Sequence, residues 1–398
     1  MKLFTVFVAT SVGFSLVQGN EWWWEYEDAK KQYSEEELSK EYPEKTRPDT
    51  FKHPPFRCPD MSPSPSVPTS VEFVKAADIK VIAALGDSLT VSSGNLFLPV
   101  YIFRLFNPEL LGPAPKPTRF GQTLTINDTG LNLAVTGHNT ANFSEQTRHL
   151  IETFKIYPGL NFAEDWKLVS VLIGMNDVCD YCKNKTLFSA DNFVKFMMEA
   201  LDMLMNEVPR LIVNVVQILS MEALREIHKP TLGCLLQKSF CSCLVRPSAD
   251  SPELKEVVAL NLELQRRLEQ LVHSGRYFKD DFAVVLQPYL TKTQPPRLQN
   301  GTIDTSFFSP DCFHFTIKGH EELAKGLWNN MFQPEGEKVL IQTFSEPVQL
   351  MCPSEDHPYI YTRPPAPTGP ATTTATDSAA SSVSQLLVLP VLAVVYLI

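Results

Sequence analysis

Four short runs of apolar residues punctuate the middle of the chain: "KVIAAL" (80–85), "KLVSVLIG" (167–174), "RLIVNVVQI" (210–218) and "DFAVVLQP" (281–288). Each is continuous, rich in Val, Ile and Leu, and bounded by polar residues, the pattern of strands buried on both faces. Between them the period changes. Phe193, Phe196, Met197, Ala200, Leu201, Leu204 and Val208 recur at three and four, which predicts an amphipathic helix with Asp191 at its cap. Ser251-Pro252 opens a second long helix that Gly275 closes, and Ile317 to Met331 forms a last one. Strand and helix in turn imply an α/β domain built on a central parallel sheet with both faces covered.

The two ends read differently. Residues 1–19 carry Lys2, an apolar run and the small-residue pattern Val17-Gln18-Gly19, as a cleaved secretory signal does. Residues 20–69 combine an acidic, aromatic extension with the Pro/Ser linker "SPSPSVPTS". The domain itself is expected over 70–350, followed by a Pro/Thr/Ser-rich stalk over 351–382 and an apolar terminus over 383–398. That terminus falls short of the roughly 20 residues of a spanning helix and ends without basic residues. Small residues, a polar spacer and an apolar tail are the order of a glycosylphosphatidylinositol signal, with attachment between Thr374 and Ser382; a short transmembrane anchor is the alternative.

Cysteine usage fits this compartment. Eight cysteines in a secretory context point to disulfides, so Cys179 and Cys182 read as structural, in one local bridge or two separate ones. Sequons at Asn127, Asn142, Asn184 and Asn300 are expected surface glycan sites. A net charge of −10 argues against nucleic acid as a partner. No ligand cluster for a metal stands out, no cofactor is expected, and no obligate protein partner is evident.

In open α/β sheets the site gathers at the carboxyl ends of the strands. Ser88 follows the first strand and Asn176 the second, and Asp311 and His314 lie in the loop before the last helix. A serine hydroxyl needs a base, histidine titrates near neutrality, and a carboxylate on its other nitrogen fixes the tautomer. Attack on an ester creates an oxyanion that the Ser88 N–H, a glycine loop and the Asn176 amide could stabilise.

The blocks "ALGDSLT" (84–90), "NLAVTGHNT" (132–140), "IGMND" (173–177) and "DCFH" (311–314) resemble, in order and spacing, those of the GDSL, or SGNH, hydrolases. The set is most like the membrane-associated phospholipase B group, a likeness that covers about Phe56 to Thr362. It implies a flavodoxin-like three-layer fold. It also implies Ser88 as nucleophile, Asp311 and His314 completing a triad, and the Ser88 amide, Gly137 and Asn176 as oxyanion hole. The activity implied is that of an extracellular, membrane-tethered serine esterase acting on phospholipids and lysophospholipids of the outer leaflet. A broader esterase for retinyl, acylglycerol or acetylated-sugar esters is the alternative, and a non-catalytic cell-surface binding protein on the same scaffold a further one.

The blocks depart from the family pattern at "VSSGN" after Ser88, at Met175 and at His138, positions expected to line the acyl pocket. Asp87 is expected to hold the turn, His138 to be structural or substrate-lining with assistance to catalysis as the alternative, and His320 to belong to the last helix. Cys312 is expected to bond elsewhere and pin the loop that aims His314.

Overall fold

Each apolar run forms a strand. The structure is a computed structural model that describes residues 56–91, 97–113, 126–228 and 232–364. Strands β1 (Ile79–Gly86), β2 (Trp166–Leu172) and β3 (Leu211–Val216) pair in parallel, and the two-residue β4 (Phe278–Lys279) adds antiparallel to β5 (Phe282–Gln287). The order is β1-β2-β3-β5-β4, with β5 parallel to β3.

The free edge of β1 is covered by a strand split in two. Leu111 exchanges hydrogen bonds with Lys80 and Ile82, and Leu131 and Leu133 bond Ala84 in the same parallel sense. Counting these pieces as the second strand gives the spatial order 2-1-3-4-5 of flavodoxin-like sheets, whose crevice opens where the chain reverses direction across the sheet. That point is the carboxyl end of β1 and β2.

Nine helices of this fold are used below: α1 (Ser88–Val91), α2 (Phe97–Phe106), α3 (Phe143–Ile156), α4 (Met175–Asp180), α5 (Ala190–Glu207), α6 (Leu232–Phe240), α7 (Ser242–Val245), α8 (Pro252–Val272) and α9 (Ile317–Met331). Alternation along the strands sends side chains to two cores. Val81, Val169, Val213 and Val284 join α3, α5 and α8 on one face, while Leu168, Ile212 and Val285 join α2 and α9 on the other. The result is the three-layer arrangement.

Helix starts follow capping chemistry. Ser251 accepts from Leu254 N with Pro252 in the first turn, and Thr316 accepts from Gly319 N at the start of α9. The cap of α5 is Ser189 rather than the expected Asp191. Ser189 holds extended backbone and accepts from Asn192 N, leaving Asp191 inside the first turn, where its charge still favours the helix dipole.

The chain ends differ from the expected boundaries as well. Parts of the linker and stalk are packed: Cys58 is bonded to Cys352, the Trp166 indole donates to Pro68 O, and Ser64 donates twice to Asp78. Ile360 is fully buried and its N–H donates to Val74 O. A Pro-rich segment cannot pair with itself, and here the domain supplies its partners. The domain body therefore runs through residues read from composition as linker and stalk. The signal, the acidic extension, most of "VSSGN", the stalk beyond residue 364, the attachment region and the apolar terminus lie outside the described residues. No helix among the described residues is long and apolar enough to cross a membrane.

Candidate active site

β1 ends in a turn that only glycine can make. Gly86 has φ +151°, and a Cβ there would meet Leu172 O at 2.2 Å and Thr90 Oγ1 at 2.5 Å. The chain then enters α1, whose first residue is Ser88. Asp87 is buried and its Oδ1 accepts from Leu89 N at 2.9 Å, so it holds the turn as expected. Its other oxygen has no partner, and burial pushes its carboxyl up to about 7.

The histidine arrives from the far side of the sheet. The loop between β5 and α9 brings His314 Nε2 to 2.8 Å from Ser88 Oγ, across 226 residues of sequence. His314 Nδ1 lies 2.6 Å from Asp311 Oδ2, and the Phe313 and His314 N–H groups both donate to Asp311 Oδ1 at 3.0 Å. Burial would raise the Asp311 carboxyl, but these donors and the imidazole outweigh it and hold the group below its ordinary value. Asp311 thus stays ionised and fixes the Nδ1–H tautomer, leaving Nε2 as the acceptor for the serine proton.

The loop is bolted to one helical insert. Cys312, at φ +55°, is bonded to Cys234 of α6, and Gln237 of the same helix donates to Cys312 O at 2.9 Å. The Phe240 and Phe313 rings pack edge-on or tilted against the His314 ring and each other. The Cys179/Cys182 pair makes two separate bridges, to Cys241 and Cys243, which tie α4 to α7. Asn176 sits on α4. The insert therefore holds both the histidine loop and the Asn176 helix.

Gly137 lies beyond the split strand at φ +82°, with open space where a Cβ would be. The Asn176 side chain does not float: Nδ2 donates to His138 O at 2.8 Å and carries a second N–H. Among the described residues the Ser88 and Gly137 N–H groups have no hydrogen-bond partner. Behind them Asp177 is buried and accepts from Thr140 N at 3.0 Å and from the Thr140 hydroxyl, and burial pushes its carboxyl up to about 7. His320 lies in α9 as expected, and burial lowers its pKa to about 4.

An apolar pocket opens beside this edge, lined by Leu89, Met175, Met221, Leu224, Phe313 and Phe315 among others. Four of these, Leu89, Met175, Phe313 and Phe315, adjoin Ser88, Asn176 or His314 in sequence, and Met175 is one of the positions expected there. Met221 and Leu224 come from the 3-10 helix Met221–Glu226 that follows β3, and they carried no motif. Gln146 was also missed: it occupies a core position of the α3 stripe (Phe143, Thr147, Leu150, Phe154) and is 3% exposed. A polar residue on an apolar stripe is the signal that could have found it. Of the sequons, Asn184 and Asn300 are exposed, Asn142 is half-buried, and Asn127 lies in the single turn Ile126–Thr129.

Replacing both Cys234 and Cys312 by Ser is expected to lower turnover more than it lowers folding. A disulfide of this kind is worth about 2–4 kcal/mol of stability, whereas a displacement near 1 Å in a catalytic group can cost about a hundredfold in rate. Turnover measured well below the unfolding midpoint checks this. Unchanged turnover would show that the loop aims His314 without the bridge.

The family model described as GDSL-like lipase/acylhydrolase matches residues 82–327. The chain is 36% identical over 346 residues to human (Homo sapiens) membrane-associated phospholipase B1, covering 77% of this chain and 23% of that protein. It is 37% identical over 362 residues to the Rattus norvegicus protein of the same name, covering 83% and 25%. It thus spans about a quarter of the length of these curated relatives. A solved structure described as a GDSL-like lipase from Parabacteroides merdae aligns at TM-score 0.34 and 13% identity, over 65% of this chain and 96% of the other. With the family match running from within β1 to within α9, the chain belongs to the GDSL-like lipase/acylhydrolase family.

Proposed function

We propose that the chain is a serine esterase of the phospholipase B and lysophospholipase type, working on fatty acyl esters of glycerophospholipids at the extracellular face of a membrane. The observation that carries this reading is the hydrogen-bonded series Ser88–His314–Asp311 at the carboxyl edge, next to an apolar pocket. The relatives, named as membrane-associated phospholipases, supply the substrate class.

In this reading Ser88 Oγ attacks the acyl carbonyl carbon while its proton passes to His314 Nε2. Asp311 stabilises the imidazolium through Nδ1–H. The carbonyl oxygen takes up negative charge facing the Ser88 and Gly137 N–H groups and the free N–H of Asn176. The tetrahedral intermediate expels the glycerol oxygen, which receives the proton from His314, and an acyl-enzyme remains. Water, deprotonated by His314, attacks the acyl-enzyme, and a fatty acid leaves as Ser88 recovers its proton. The acyl chain lies against Leu89, Met175, Phe313 and Phe315.

Four disulfides, the glycan sequons and the order of residues at both ends of the sequence support an extracellular location. A glycosylphosphatidylinositol tether is the anchor proposed, in place of a short transmembrane segment. A tethered enzyme meets bilayer substrate by diffusion in two dimensions, so a net charge of −10 need not draw it to an anionic surface.

A fluorophosphonate probe should label the folded protein, and Ser88→Ala should abolish labelling. Phosphatidylcholine, lysophosphatidylcholine and short-chain phosphate-free esters, assayed side by side, should show preference for the phospholipids. No labelling would leave a binding protein on this scaffold, and equal hydrolysis of phosphate-free esters would leave the broader esterase. For the tether, phosphatidylinositol-specific phospholipase C should release the protein from cells; retention would favour a transmembrane segment.

A further inference from the structure

Gln146 joins two of the motif loops through one side chain. Its Oε1 accepts from Gly86 N at 2.9 Å, and its Nε2 lies 2.9 Å from both Gly86 O and His138 Nδ1. Gly86 fixes which end is which. A backbone N–H can only donate and a carbonyl can only accept, so the oxygen must face the first and the nitrogen the second. The amide nitrogen carries two hydrogens, one spent on Gly86 O and the other aimed at His138 Nδ1. That ring nitrogen must therefore present a lone pair, and the proton of the neutral imidazole resides on Nε2.

The rest of His138 is held too. Its carbonyl accepts from Asn176 Nδ2, its N–H donates to Val135 O at 3.1 Å, and the ring is half-buried. Among the described residues Nε2 has no partner. Burial lowers the pKa of the ring, opposed by the field of the Glu145 carboxylate on α3, so the neutral form is favoured.

We propose that Gln146 is a positioning residue that locks His138 as the Nε2–H tautomer, and that this N–H donates to an oxygen of the ester bound on the Gly137 side of the site. The inference rests on the esterase reading for its substrate, but not for its tautomer. It separates the two histidines near Ser88 by role. His314 keeps a free lone pair and can act as a base, whereas the one lone pair of His138 is occupied by Gln146, so His138 serves as a donor only.

Two measurements test this. Long-range 1H–15N spectra of histidine-labelled protein, with His138→Gln to assign the signals, should show an unprotonated Nδ1 and a protonated Nε2 at His138 near neutral pH. A protonated Nδ1 would overturn the proposal. Gln146→Glu places a carboxylate opposite Nδ1, which draws a proton there and raises the pKa of the ring. Nε2–H then survives only in the imidazolium and is lost as pH rises through the raised pKa. Activity of Gln146→Glu relative to wild type should accordingly fall by about tenfold on the alkaline side, the worth of one ordinary hydrogen bond. The added limb should vanish in the Gln146→Glu/His138→Gln double variant. Parallel profiles for Gln146→Glu and wild type would contradict the donor role. Should that variant not fold, Gln146→Leu is expected to give mixed tautomers in the same spectra, and a single unchanged tautomer would refute the lock. A wild-type protein that hydrolyses no ester would sink the esterase reading while leaving the tautomer result standing.

Discussion

A hydrogen bond of 2.8 Å between Ser88 Oγ and His314 Nε2 joins parts of the chain 226 residues apart, and much of the carboxyl edge is built to keep it. Ser88 is fixed by the end of β1. His314 has no such support, because its loop leaves β5, which β2 and β3 separate from β1. A loop that must cross two strands and stop within hydrogen-bond reach needs external bracing. The insert of α6 and α7 supplies it through the Cys234–Cys312 bridge, the Gln237 contact and the Phe240 ring. The same insert grips α4 through two further bridges, so the His314 loop and the Asn176 helix are both tied to one element.

A second set of contacts works from α3 and α4. Gln146 reaches from α3 to Gly86 and His138, and Asn176 reaches from α4 to His138 O. Three motif blocks that are far apart in sequence thereby share one continuous network, buried where it meets Gly86 and opening to the surface at His138. Polar groups withdrawn from water in this way are costly unless each finds a partner, and in return they fix one geometry. The buried carboxyls of Asp87 and Asp177 lie behind the same edge, with ionisation made difficult by desolvation. Little in this region can shift without breaking several bonds.

How far these features could be read in advance depends on their physical origin. Continuous apolar runs found β1, β2, β3 and β5 to within two residues, and the period of Ile317–Met331 found α9. Both signals come from burial, which composition records directly. The split strand at Leu111 and Leu131–Leu133 left no such trace, since each piece pairs over only a few residues. Motif blocks named Ser88, Gly137, Asn176, Asp311 and His314, and the structure brings the Ser–His–Asp series into contact. Disulfide partners could not be read, because spacing does not report which loops meet in space. Gln146 was hidden for a related reason: it lies outside every motif block, and sequence does not show that its side chain reaches Gly86 and His138.

In the proposed mechanism Ser88 forms a covalent acyl intermediate with a fatty acyl ester. Acid quenching of the protein during turnover of lysophosphatidylcholine, followed by mass spectrometry of its peptides, tests this directly. The peptide carrying Ser88 is expected to gain the mass of one fatty acyl group. Substrate consumed with no acylated peptide, or with the acyl group on another residue, would contradict it.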